Sequence, residues 1–184
     1  MENMINDLKT PLCWEFKKKK AFLKSDDKTV LELKVGKKRA SFKSGDITYT
    51  IRNKGFWNPS TVIEEDKKNI AILKRFFRGN TSWIEFENGN KYLLRCKNLM
   101  FIKLSVYSSD HKEILRYKLI SKYKAVMNLY KNNTEIPGTD MLFLLMLSCF
   151  IFRGIIKENK TTDLESVVFS NAVPEKESAL TEPV

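Results

Sequence analysis

Met141–Phe152, MLFLLMLSCFIF, is apolar on every side apart from Ser148. A helix lying on a protein surface needs a polar stripe, so one this apolar must be buried in protein or in a bilayer. Spanning takes about 20 mostly apolar residues, whereas runs of about 10 to 14 are more often core helices. This run has 12 residues before Arg153, and Asp140 and Lys157 close its ends. Length and interruption favour a core helix at about 140–157 over a tail anchor. Pro137-Gly138 breaks the chain just upstream, and Thr139 or Asp140 is suited to cap the helix. Ser148 can return its hydroxyl to the Leu144 carbonyl, so it need not be an unsatisfied polar group in a core.

Upstream of this run, from Leu12 to about Tyr130, apolar residues recur with period two, as strands with one buried face require. Leu31, Leu33 and Val35 alternate with Glu32 and Lys34; Ile47, Tyr49 and Ile51 with Thr48, Thr50 and Arg52; Leu115, Tyr117 and Leu119 with Arg116 and Lys118. Turn signals separate the strands at short intervals, among them Ser25-Asp26-Asp27-Lys28, Ser44-Gly45-Asp46, Glu65-Asp66-Lys67-Lys68 and Ser108-Ser109-Asp110. Asn88-Gly89 is the clearest, because a two-residue hairpin turn needs positive φ at both central positions. Ser121–Tyr130 suits either a helix or a strand and is read as the last of about twelve strands.

Many strands with one apolar face and one later helix apolar all round combine economically if the strands wrap the helix. Barrels of about eight strands are filled by their own side chains, so enclosing a helix takes more. The expected fold is mainly β: an antiparallel barrel of about twelve strands over residues 12–157, enclosing a C-terminal apolar helix. Residues 1–11 form an N-terminal segment, and residues 158–184, rich in Lys, Glu, Thr and Ser, suit a disordered tail.

The order of many short antiparallel strands followed by an apolar helix resembles the tubby C-terminal superfamily, which includes the LURP-one-related proteins and the phospholipid scramblases. The resemblance covers about Leu12 to Ile156 and is strongest in the hairpin Trp83–Tyr92, in Leu104–Asp110 with Glu113-Ile114-Leu115, and in the helix. It departs from the family pattern at Asp110-His111-Lys112, which lacks the expected glycine, and it lacks the scramblases' proline-rich N-terminal region and calcium-ligand cluster. The resemblance implies a cytoplasmic, non-enzymatic domain, in tubby proteins one that binds phosphoinositide headgroups through surface Lys and Arg.

Charge gives the functional lead. The 184 residues carry a formal net charge of +11. Residues 1–157 hold 31 Lys and Arg against 16 Asp and Glu, whereas 158–184 hold 2 against 6, so a basic body carries an acidic tail. Lys17, Lys18, Lys19 and Lys20 form a continuous run, which a loop accommodates better than a strand because strand neighbours face opposite ways. Lys37, Lys38, Arg39 and Lys43 cluster around a turn. Arg52, Lys54, Lys74, Arg75 and Arg78 form a third group, beside Phe56, Trp57, Phe76 and Phe77. Each such cluster serves either as a solvated edge that blocks aggregation or as an anionic-ligand surface. Phe56 and Trp57 either insert into a bilayer interface, stack on bases or, for Trp57, plug one barrel end.

Signs of catalysis are weak. His111 is the only histidine and sits in a turn between Asp110 and Lys112; the glycines are single turn glycines rather than a phosphate loop. Cys13, Cys96 and Cys149 are odd in number and fit no zinc spacing, which suits a reducing compartment. The N-terminus lacks the pattern of a secretory signal. The expectation is a cytoplasmic, monomeric, non-enzymatic binding domain, without cofactor or metal, that recognises anionic phospholipid headgroups as a peripheral membrane protein or adaptor. The alternatives are a basic nucleic-acid-binding protein and a tail-anchored membrane protein; a protein partner is left open.

Overall fold

A computed structural model describes residues 11–36, 38–55, 60–75, 81–97, 103–121, 123–130 and 136–158. Twelve strands precede one helix: β1 (Leu12–Phe16), β2 (Lys20–Ser25), β3 (Lys28–Val35), β4 (Arg39–Ser44), β5 (Ile47–Lys54), β6 (Ser60–Glu65), β7 (Lys68–Arg75), β8 (Thr81–Phe86), β9 (Lys91–Lys97), β10 (Lys103–Tyr107), β11 (Glu113–Ser121), β12 (Lys124–Leu129) and α1 (Gly138–Glu158). Each strand pairs antiparallel with its neighbours in sequence, and β12 closes the barrel on β1. The ambiguous segment after Ser121 is thus a strand, and its pairing with β1 leaves no free sheet edge.

The apolar run lies inside. The stretch 138–156 is long and apolar enough to cross a bilayer, yet 78% of it is buried within the barrel. Leu144, Leu145, Leu147, Cys149 and Phe152 are fully buried, packed with Leu12, Trp14, Leu23, Leu33, Ile51, Leu73, Ile84, Leu104 and Tyr117 from around the wall. Ser148 donates to the Leu144 carbonyl as its spacing predicts, and the Tyr117 hydroxyl meets it at 2.6 Å. The one polar side chain of the run is therefore satisfied, and it links the helix to β11.

Both ends of the helix are tied to hairpins. Asp140 is buried at the first turn, where its carboxylate accepts from Asn88 (3.0 Å), Asn90 (2.7 Å) and the Tyr92 hydroxyl (2.9 Å). Its role is to hold the β8–β9 turn, and the helix begins earlier than expected, at Gly138. Its charge also sits favourably at the positive end of the helix dipole.

Turn chemistry differs from expectation. Asn88-Gly89 does not form the two-residue turn: only Gly89 has positive φ (89°), while Gly89 N–H donates to Phe86 and Phe86 N–H to Asn90. This is a three-residue loop with the glycine as the left-handed bulge residue. The two-residue turns with both central φ positive are Asp26-Asp27 (47° and 62°) and Asp66-Lys67 (45° and 71°). Asp tolerates the left-handed region because its short carboxylate bonds locally, so the signal lay in aspartates rather than in glycine.

Candidate functional site: the basic end of the barrel

In an up-and-down barrel, alternate connections share an end. The turns after β2, β4, β6, β8 and β10 lie where α1 begins, and carry Asp26, Asp27, Asp46, Asp66, Glu87 and Asp110 against Lys67 and Lys112. Turns after odd-numbered strands lie where α1 finishes. Among the described residues these bring together Lys17, Lys18, Lys19, Lys20, Lys38 and Arg39, with Lys34 at the end of β3 and Lys124 at the start of β12. The barrel has one acidic and one basic end.

Arg153 organises the basic end from within. It is 7% exposed, and its guanidinium donates to the carbonyls of Lys17 (2.8 Å), Lys18 (2.9 Å) and Lys20 (3.2 Å). Burial lowers its pKa from the ordinary value, and three carbonyl dipoles stand where a carboxylate usually would. With those carbonyls drawn inward, Lys17–Lys19 form a loop and Lys20, expected in it, instead opens β2, the turn being closed by a Lys17 N–H bond to the Lys20 carbonyl (2.8 Å). Val35 N–H donates to Lys19 and Gly36 N–H to Arg39, each at 2.8 Å, which fixes the β3–β4 corner against the β1–β2 turn. A groove of about 360 Å³ lies between the corners, lined by Lys19, Lys20, Lys34, Val35, Gly36, Arg39, Ala40 and Ser41.

Like charges face one another here. Lys20 is directly opposite Lys34, and Arg39 opposite Arg52. Such pairs destabilise a sheet by a few tenths of a kcal/mol or more each. Lys20 is partly offset by Glu32 at 2.8 Å, and Lys17 and Lys20 lie over the Phe22 ring. Among the described residues Lys18, Lys19, Lys34, Lys38 and Arg39 are exposed and make no ion pair.

Farther round the wall, on β5 to β8, the described cations pair with carboxylates that lie toward the acidic end, Glu64 just before the Asp66-Lys67 turn and Glu85 just before the β8–β9 turn. Glu64 accepts two bonds from Arg52 (2.6 and 3.0 Å) and pairs with Lys54, and the Arg52 guanidinium foremost holds its pKa at about 2. Lys74 pairs with Glu85 at 2.5 Å. The third basic group of the sequence is therefore structural where it is described. The Arg75 backbone ends β7, but its side chain, Lys37, Arg78, Phe56 and Trp57 lie outside the described residues, as do residues 1–10 and 159–184. Lys43 parts from its expected cluster: it faces Thr48 beside the Gly45-Asp46 turn, near the acidic end.

Lys34, Arg153 and the exposed Ile120 and Tyr123 were not among the expected site residues. Listing the turns alternately by barrel end would have shown the charge polarity in the sequence. The histidine does not approach this site: His111 sits in a turn at the acidic end. Cys149 is buried in the core, and burial raises the thiol pKa of all three cysteines, which disfavours thiolate. Among the described residues no three His, Cys, Asp or Glu side chains converge as a metal site would require.

Compared with protein-family models, curated proteins and solved structures, the chain matches none. Fold and surface together define a closed twelve-stranded barrel around a core helix, with one strongly basic end.

Proposed function

We propose that this protein binds anionic phospholipid surfaces through the basic end of its barrel, as a non-enzymatic, cytoplasmic, peripheral membrane domain. The carrying observation is the sector of unpaired cations, Lys18, Lys19, Lys34, Lys38 and Arg39, gathered around one groove over the buried Arg153. Each Lys or Arg near an anionic bilayer contributes about 1 kcal/mol, so these five give attachment of about 5 kcal/mol, reversible and salt-sensitive. The groove offers room for a phosphate-bearing headgroup between Lys19, Lys20, Lys34 and Arg39. The resemblance to tubby-like barrels in strand order and central helix points the same way.

Vesicle sedimentation tests the reading. Neutral phosphatidylcholine vesicles should leave the protein in solution, and vesicles containing phosphatidylserine or a phosphoinositide should carry it down, with the bound fraction falling as salt rises. Equal, negligible binding to both at low salt would sink the proposal. Retention on single- or double-stranded nucleic acid at about 50 mM salt, without vesicle binding, would replace it with the nucleic-acid reading.

A further inference from the structure

Resting on the bilayer reading, we infer that the barrel docks tilted: it lands on the sector running from β11 and β12 through β1 to β4, and Tyr123 and Ile120 enter the interfacial layer of the membrane. Three large apolar side chains are exposed among the described residues: Tyr123 at 61%, Ile47 at 43% and Ile120 at 41%. Ile47 follows the Gly45-Asp46 turn at the acidic end. Ile120 and Tyr123 both belong to the β11–β12 corner, at the basic end.

That corner is continuous with the lysine loop. Phe16 N–H donates to the Tyr123 carbonyl at 2.7 Å, and Lys17 follows directly in the chain. Around the corner stand exposed Lys118, Lys124 and Lys103, with Lys103 opposite Lys118 in the sheet. None of the three makes an ion pair among the described residues. The sector thus combines unpaired cations with protruding apolar groups. Farther round the barrel wall, the described cations Arg52, Lys54 and Lys74 of β5 and β7 are paired with Glu64 and Glu85. A tilt toward β5 to β8 would meet those paired charges, whereas a tilt toward β11 to β4 presents the unpaired Lys18, Lys19, Lys34, Lys38 and Arg39, beside the Lys20–Glu32 and Lys24–Glu15 pairs of that sector.

The side-chain types suit an interface. Tyrosine has an apolar ring and a hydroxyl that stays at headgroup level, and lysine stems extend along apolar surface while their ammonium groups reach phosphates. Nucleic acid would use the lysines but would gain little from Ile120. A bilayer uses both.

The test compares the full chain with Tyr123→Ser, Ile120→Ser, the double variant and Ile47→Ser, on phosphatidylcholine vesicles with and without phosphatidylserine. Far-UV circular dichroism and melting are followed for each variant, and binding is compared only between variants that retain the wild-type spectrum. The double variant should bind anionic vesicles about tenfold more weakly, with the salt dependence of wild type because every cation is retained, and Ile47→Ser should bind as wild type does. Tyr123→Trp should gain emission that is quenched by brominated lipid. Wild-type binding with an unaffected double variant and an unquenched Trp at 123 overturns the tilt and leaves the anionic-surface reading standing. Failure of wild type to bind any vesicle overturns both.

Discussion

At the scale of single residues, His111 shows how a barrel turn is completed without glycine. Ser108 N–H donates to the Lys112 carbonyl and His111 N–H to the Ser108 carbonyl, and His111 has φ 61°. It occupies the left-handed position that Gly89 fills in the β8–β9 loop, so the glycine absent from the resemblance is replaced in conformation although not in type. A left-handed non-glycine residue costs roughly 1–2 kcal/mol, part of which glycine returns as unfolded-state entropy. His111→Gly should stabilise the protein by about 1 kcal/mol and raise the melting midpoint by roughly 2–4 °C in a calorimetric scan. Glu64 gives a second test. Arg52 and Lys54 hold its pKa at about 2, below the ordinary 4.5, so its contribution is complete above pH 4.5 and is lost as pH falls through 2. Glu64→Gln should be less stable than wild type at neutral pH, and the gap should shrink between pH 4.5 and 2 in denaturant titrations.

At the scale of elements, α1 functions as an axle pinned at both ends, by Asp140 to the β8–β9 turn and by Arg153 to the β1–β2 turn. Leu145 is fully buried midway along it, and a carboxylate there has no partner. Leu145→Asp should abolish cooperative unfolding and near-ultraviolet circular dichroism for the whole barrel. A tail anchor would instead detach and leave a folded domain. Arg153→Met leaves the Lys17 and Lys18 carbonyls without their donor, while the Lys20 carbonyl keeps Lys17 N–H, and should cost about 1–3 kcal/mol, with Arg153→Lys intermediate, and hydrogen exchange should rise first at Lys17–Lys20. The strands and the helix were legible because alternation and all-round apolarity are local properties of the chain. Turn geometry was less so: Asp26-Asp27 forms the two-residue turn and Asn88-Gly89 does not, because strand register decides how many residues a loop keeps. The inward course of Arg153 was also hidden, since an arginine that ends an apolar run reads as an exit to solvent.

At the scale of the whole molecule, the consequence of closure is a separation of charge that no single segment displays. Lys43 lies four residues from Arg39 in sequence, yet a strand carries it toward the acidic end, whereas Lys20 and Arg39 are far apart in sequence and line one groove. If binding depends on this placement, equal changes in net charge must act unequally. Lys18→Glu, Lys19→Glu and Lys38→Glu together alter the basic rim; Lys28→Glu, Lys43→Glu and Lys67→Glu together alter the acidic end by the same amount. At about 1 kcal/mol per lysine lost, the rim variant should bind phosphatidylserine vesicles at least 100-fold more weakly, and the acidic-end variant within about threefold of wild type. The rim variant also relieves repulsion around Lys20 and Lys34, so it should melt no lower than wild type. Equal loss of binding in the two variants would mean that net charge attracts the protein without orienting it, and would remove the basic end as the docking surface.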